Sequence, residues 1–179
     1  AVGMMLSSCQ EVFEDDISGK SVSIISPENQ YASPSNQVIF WWNTLEGADW
    51  YHLQIVKPSF DNIQSLVLDT NVTGENFTGI FSFGDYEWRI RPENSAYVGE
   101  YISRSFTVES DSDLTYQVIP LVSPSQLDTS NSAQQNFSWL SLPYAESYTF
   151  TIWQGAYGGT TEYSTSQSTN SISYTFAND

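Results

Sequence analysis

The chain has one cysteine, Cys9, and one histidine, His52, in 179 residues. A single thiol excludes an internal disulfide, and two such residues fall short of the three or four Cys or His ligands of a zinc site. Basic side chains are scarce too. Five Lys+Arg stand against 21 Asp+Glu, a net charge of −16. That field repels nucleic acid and anionic lipid head groups, so no nucleic-acid partner is expected. Lys20, Lys57, Arg89, Arg91 and Arg104 are the whole basic set, and from Ser105 onward there is no Lys, Arg or His to hold a phosphate or carboxylate. No convincing helix is present, which removes the phosphate-binding loop that a glycine-rich turn forms ahead of one.

The same scarcities bear on catalysis. A hydrolase triad needs a nucleophile, an imidazole base and an orienting carboxylate within hydrogen-bond reach. His52 falls on the outward face of a predicted strand, where it is expected to be solvated, and no Gly-x-Ser-x-Gly elbow accompanies it. Carboxylates are too plentiful to mark one glycosidase pair. Glu87 shares an outer face with Arg89 and Arg91, which are expected to form cross-strand ion pairs. No enzymatic activity is expected.

What is present is a repeat. Asp16-Ile17 and Asp113-Leu114 stand 97 residues apart (113 minus 16), and that offset also relates Ser26-Pro27 to Ser123-Pro124, Phe40 and Trp42 to Phe137 and Trp139, and Ala48, Tyr51 and Ile55 to Ala145, Tyr148 and Ile152. No gap is needed. A repeat of this length is a whole small domain. Hydrophobic residues at 40% and aromatics at 15% suit pleated, half-buried surfaces. The fold class is therefore all-β, two tandem sandwiches with the second incomplete.

In the first module, short alternating segments are separated by Gly, Pro, Asn and Asp turns. Strands are expected over 21–26, 37–43, 66–69, 76–81, 86–91 and 102–108, with a further one after Gly47-Ala48, about seven in all. The two-residue period puts Val38, Phe40 and Trp42 on one face, Trp42 being the core anchor. It points Tyr51, Leu53 and Ile55 inward, with His52, Gln54 and Val56 outward, and gives Tyr86, Trp88 and Ile90 a shared face. The second module repeats the early strands through Trp139 and Ile152. It then enters a Gly-, Thr- and Ser-rich stretch, 155–173, without a Tyr-x-Trp-Arg strand or a closing Phe-x-Val strand.

A tryptophan on the second strand, a Gly47-Ala48-x-x-Tyr51 approach to the third and the Tyr86-x-Trp88-Arg89-x-Arg91 strand followed by Asn94 resemble fibronectin type III modules. More narrowly, Phe40-Trp41-Trp42, Gly47 to Gln54, Pro58-Ser59-Phe60 and Arg104-Ser105-Phe106 resemble the fibronectin-like repeats of Bacteroidetes-type lipoproteins. The run from Ala1 to Leu6-Ser7-Ser8-Cys9 resembles the tail of a bacterial lipoprotein signal peptide, with cleavage after Ser8 and lipidation of Cys9. Nine residues cannot span a bilayer, so membrane attachment is expected by lipid anchor only. Acidic residues soon after the cysteine, Glu11, Glu14, Asp15 and Asp16, resemble the signal that exports such lipoproteins to the cell surface.

The resemblance implies a signal-peptide remnant at 1–8, an acidic tether at 9–15, module one at 16–109, a linker at 110–113 and a truncated module two at 114–179. It also implies a bacterial cell envelope location, outer-membrane anchored and surface exposed. Asn71-Val72-Thr73, Asn76-Phe77-Thr78 and Asn136-Phe137-Ser138 fit the glycosylation tripeptide, which would matter only in a secreted eukaryotic chain.

Exposed aromatics are the remaining route to a ligand, because sugar faces stack on rings. Trp41, Trp50, Tyr97 and Tyr101 are the candidates, weighed against packing beneath loops. No cofactor is expected. Glu109, Asp111 and Asp113 are weak calcium candidates at the module junction, with a solvated linker as the simpler reading. The function expected is non-enzymatic binding of extracellular protein or glycan. The alternatives are a structural spacer presenting a C-terminal domain, or a glycan-capture lipoprotein beside an outer-membrane transporter.

Overall fold

The computed structural model describes residues 14–109, 113–125, 129–130 and 132–177. Cys9 and Asp111 lie outside the described residues. Every regular element among those residues is a strand, and they divide into two compact units, one comprising 14–33 with 38–109, the other 34–37 with the described residues from 113 to 177. No helix among them is long and apolar enough to cross a membrane.

The first module holds β1 (Ile24–Ser26), β2 (Tyr31–Ser33), β3 (Gln37–Trp42), β4 (Trp50–Ser59), β5 (Asn62–Val72), β6 (Asn76–Ile80), β7 (Gly84–Glu93) and β8 (Ile102–Val108). A three-stranded sheet runs β1-β3-β6, and a five-stranded sheet runs β2-β8-β7-β4-β5. Their inner faces share one core. Val38, Phe40 and Trp42 from one sheet meet Tyr51, Leu53, Ile55, Tyr86, Trp88, Ile90, Phe106 and Val108 from the other. These are the inward positions that the two-residue period assigns. Phe40 sits at its centre, edge-on to Trp88, Phe106 and Phe81 at 4.8, 5.4 and 5.7 Å between ring centroids, the geometry that aromatic quadrupoles favour.

The second module is built on the same plan as far as it goes. β9 (Leu121–Ser123) and β10 (Gln134–Trp139) lie at the 97-residue offset from β1 and β3, and β11 (Tyr148–Gln154), β12 (Thr160–Gln167) and β13 (Ser171–Thr175) follow as β4, β5 and β6 do. Register is kept as well as order. Ile24 pairs with Trp42 and Ser26 with Trp41 across a bulge; Leu121 pairs with Trp139 and Ser123 with Ser138 across the same bulge. The Leu45 amide donates to the Tyr51 hydroxyl at 2.8 Å, and the Leu142 amide to the Tyr148 hydroxyl at 2.9 Å. Sheets β13-β10-β9 and β11-β12 are joined by Phe150, which packs 5.0 Å from Phe137 and stacks on Trp139 at 5.8 Å.

Several expectations change. The first module has eight strands, because Tyr31–Ser33 pairs parallel to β8, a pairing too short to leave a periodic signal. Its first strand begins at Ile24, and β5 extends over 62–72 because a two-residue turn at 60–61 keeps it paired to β4. The Gly-, Thr- and Ser-rich stretch of the second module holds two strands, β12 and β13. There Tyr163, Thr165 and Gln167 on β12, and Ile172 and Tyr174 on β13, alternate with more exposed residues, and hydroxyl pairs such as Thr149 with Ser166 and Thr151 with Ser164 bridge β11 and β12. Val56 is fully buried instead of facing out with His52 and Gln54, and the pairing with β5 bulges between Ile55 and Val56.

Candidate functional site

The outer face of the five-stranded sheet carries a belt of polar and aromatic side chains. Cross-strand register creates it: Trp50 lies opposite Glu93, His52 opposite Arg91 and Gln54 opposite Arg89 on β7, while on the other side His52 neighbours Asn71 and Gln54 neighbours Asp69 on β5. Tyr101, just before β8, and Phe60, in the β4–β5 turn, close over this row.

The belt holds two hydrogen-bonded groups, one around Glu93 and one around His52, which approach each other where His52 Nδ1 lies 3.5 Å from Glu93 Oε1. The Trp50 indole donates to Glu93 Oε2 at 2.9 Å and Arg91 Nε donates to Glu93 Oε1 at 2.7 Å. His52 Nδ1 lies 2.8 Å from the Tyr101 hydroxyl and its Nε2 lies 2.6 Å from Asp69 Oδ1. One proton arrangement satisfies all of these groups, with Tyr101 donating to Nδ1 and Nε2–H donating to Asp69. Gln54 donates to the second Asp69 oxygen at 2.9 Å and accepts from Arg89 Nε at 2.8 Å. The Arg89 guanidinium stands 4.2 Å from the Phe60 ring centroid and 4.3 Å from that of Tyr101, and the Arg91 guanidinium stands 4.6 Å from the Tyr101 centroid. These are cation–π distances.

The electrostatics follow from these contacts. Hydrogen bonds from His52 and then Gln54 hold the Asp69 carboxyl below its ordinary range. Burial pushes Glu93 upward, but hydrogen bonds from Trp50 and Arg91, with the charge of Arg91, outweigh it and leave the group lowered. Tyr101 is raised, chiefly by burial.

His52 is thus not the solvated strand histidine expected. Both ring nitrogens are engaged and the side chain is four-fifths covered, at 20% exposure. The cross-strand ion pairs expected of Arg89 and Arg91 are replaced as well. Arg91 pairs with Glu93 two residues along its own strand, Arg89 bonds the neutral Gln54, and Glu87 accepts the Phe60 amide at 2.8 Å. The outward alternation of His52, Gln54, Arg89 and Arg91 was legible in the sequence. Asp69 and Phe60 were not, because their place depends on the β4–β5 turn and two bulges.

The four aromatic candidates do not form one site. Trp50 and Tyr101 belong to the belt. Tyr97 lies in the β7–β8 loop, its amide held by Asn94 Oδ1 at 2.7 Å. Trp41 is 43% exposed on the outer face of the other sheet, which also exposes Ile25, Ile39 and Ile80. Of the calcium candidates, Asp113 Oδ1 accepts the Thr115 amide at 2.9 Å, as Asp16 Oδ1 accepts that of Ser18 at the equivalent place before module one. Among the described residues no three His, Cys, Asp or Glu side chains gather as a metal site.

No protein-family model matches the sequence, and no curated protein matches it. Solved fibronectin type III structures are similar. The FN3tt mut structure is 15% identical with a TM-score of 0.35, over 49% of this chain and 91% of that one. A segment of two fibronectin type III domains from chicken tenascin is 12% identical with a TM-score of 0.35, over 88% of this chain and 82% of that one. The FN1–FN3 domains of chicken CNTN1 are 13% identical with a TM-score of 0.36, over 90% of this chain and 55% of that one. At such scores the likeness adds no argument of its own. The all-β, fibronectin-like sandwich assignment rests on the strand order and shared core described above.

Proposed function

We propose that the chain is a non-enzymatic, lipid-anchored cell-envelope protein whose tandem fibronectin-like modules bind extracellular protein or glycan. The observation that carries the binding half is the belt around Tyr101. There two guanidinium planes, an indole and a phenol sit among amide and carboxylate groups on a rigid sheet, the mixture of stacking surface and hydrogen-bonding groups that sugars and peptides use. The described hydrogen bonds of His52 go to Asp69 and Tyr101, with no serine, threonine or cysteine among those partners to serve as a nucleophile, which supports the non-enzymatic reading. The anchor rests on the sequence Leu6-Ser7-Ser8-Cys9.

The test is a glycan-array and pull-down screen of the soluble chain from Gln10 onward, with Tyr101→Ala and Trp41→Ala alongside. Retention lost in Tyr101→Ala and kept in Trp41→Ala is the expected result. Loss in Trp41→Ala alone would move the site to the opposite sheet.

One observation favours the spacer reading as a second choice: the belt groups hydrogen-bond one another and so already have partners. No retention of any glycan or envelope protein would leave that reading standing.

A further inference from the structure

One charged group of the belt is left without a counterpart. Of the three arginines, Arg91 pairs with Glu93, and Arg104 donates to the backbone carbonyls of Pro27 and Ile24. Arg89 differs. Its Nε donates to the neutral Gln54, and among the described residues its two Nη nitrogens have no hydrogen-bond or ion-pair partner. The carboxylates around it are engaged elsewhere. Asp69, beyond Gln54, accepts from His52 on one oxygen and from Gln54 on the other; Glu93 accepts from Trp50 and from Arg91; and Glu87, two residues along the same strand, accepts the Phe60 amide. In a chain with 21 acidic side chains, a half-buried arginine without an acidic partner does not come from a shortage of acids.

The surroundings fix how that cation can act. The guanidinium lies over both the Phe60 and the Tyr101 ring while Gln54 holds its Nε, which leaves the Nη edge as the open part. Such an edge presents parallel N–H groups matched to the two oxygens of a carboxylate. Ser103 lies directly opposite Arg89 on β8, on the side away from Gln54. It is exposed, and its hydroxyl has no partner among the described residues, so a second donor stands on the same row of the sheet.

We propose that the belt binds a sugar bearing a carboxylate, the Arg89 Nη groups donating to the carboxylate oxygens and the Ser103 hydroxyl adding a further hydrogen bond. This rests on the reading of the belt as the binding site. A carbohydrate fits it better than a peptide does. Peptides captured by sheets add a strand at an open edge through main-chain hydrogen bonds, whereas Arg89 stands on β7, an interior strand whose main chain already pairs with β4 and β8. Recognition on that face comes from side chains and rings, the groups that orient sugars. Charge narrows the class further. One unopposed guanidinium in a chain of −16 favours an isolated carboxylate among neutral sugars over a densely charged polyanion, which the rest of the surface repels.

The test presents the whole 179-residue chain with a panel of neutral oligosaccharides, each paired with a counterpart ending in glucuronic acid. The parent is expected to bind the glucuronate member of a pair about tenfold or more tightly than the neutral one, the weight of hydrogen bonds to a charged group. Arg89→Gln is expected to bring the two members level, and Ser103→Ala to remove part of the preference. Circular dichroism confirms that each variant is folded; Ser103→Ala deletes one exposed hydroxyl and so probes the same subsite without disturbing the rings around Arg89. A preference that survives in Arg89→Gln, or is untouched in Ser103→Ala, would overturn the assignment. Equal binding of both members, lost in Tyr101→Ala, would overturn the carboxylate while leaving the belt as the binding site. Preference for acidic peptides over every sugar would overturn it in favour of a peptide ligand. No binding of any panel member would overturn it together with the reading on which it rests.

Discussion

Gly47 and Tyr144 occupy equivalent positions in the two modules, and both hold left-handed backbone, with φ of 88° and 66°. At Gly47 the reason is visible. Its carbonyl accepts from Asn94 Nδ2 at 2.8 Å, and a Cβ there would come 2.6 Å from that of Asp15. At Tyr144 the same turn is kept by a residue whose own Cβ disfavours it, so the repeat holds its backbone path where the local preference is against it.

Tyr144→Gly is expected to stabilise the second module by about 1 kcal/mol, since left-handed backbone costs an L-residue about that much. Gly47→Ala is expected to destabilise the first by a similar amount or more, through strain and the Asp15 contact. Urea unfolding followed separately on resonances of each module checks both signs.

Core truncations should be unequal at equivalent positions. Phe40→Ala removes a fully buried ring with four aromatic neighbours and is expected to cost about 3–5 kcal/mol. Phe137→Ala removes a half-buried ring from an open face and is expected to cost under about 2 kcal/mol. Midpoints of chemical denaturation for the two variants give the comparison.

Acid should weaken the belt. Glu93 and Asp69 have carboxyls lowered in the folded state from ordinary values of 4.5 and 3.8. The stability that these shifts contribute is present above those values and is lost as pH falls through the lower folded ones. The unfolding midpoint of the first module is therefore expected to drop below about pH 4.5, and Glu93→Gln is expected to remove part of that dependence. Tyr101, raised from 10.0, acts at the other end: its contribution is present below pH 10.0 and is lost as pH climbs through the raised value. A pH series of denaturation midpoints for the parent and Glu93→Gln checks the sign.

The sequence made the core legible because two-residue periodicity is enough to sort Phe40 and Trp42, Leu53 and Ile55, or Trp88 and Ile90 to one face. The 97-residue offset likewise carried pairing register as well as order, down to the Leu45–Tyr51 and Leu142–Tyr148 bonds. The belt was legible only in half. His52, Gln54, Arg89 and Arg91 share an outer face by alternation, but Asp69 arrives by a hairpin register containing bulges, and Tyr101 arrives from a loop. Strands β12 and β13 escaped because Ser, Thr and Gly mask a pleat held by hydroxyl pairs and tyrosines.

The central structural claim is that the second module repeats the first through five strands, in pairing register as well as order. Residue-resolved amide hydrogen exchange tests it most directly. The expected result is protection of the amides by which β10 pairs with β13 and β11 pairs with β12, over Gln134–Ser138 and Tyr148–Gln154. Rapid exchange throughout Thr160–Gln167 and Ser171–Thr175 would contradict it.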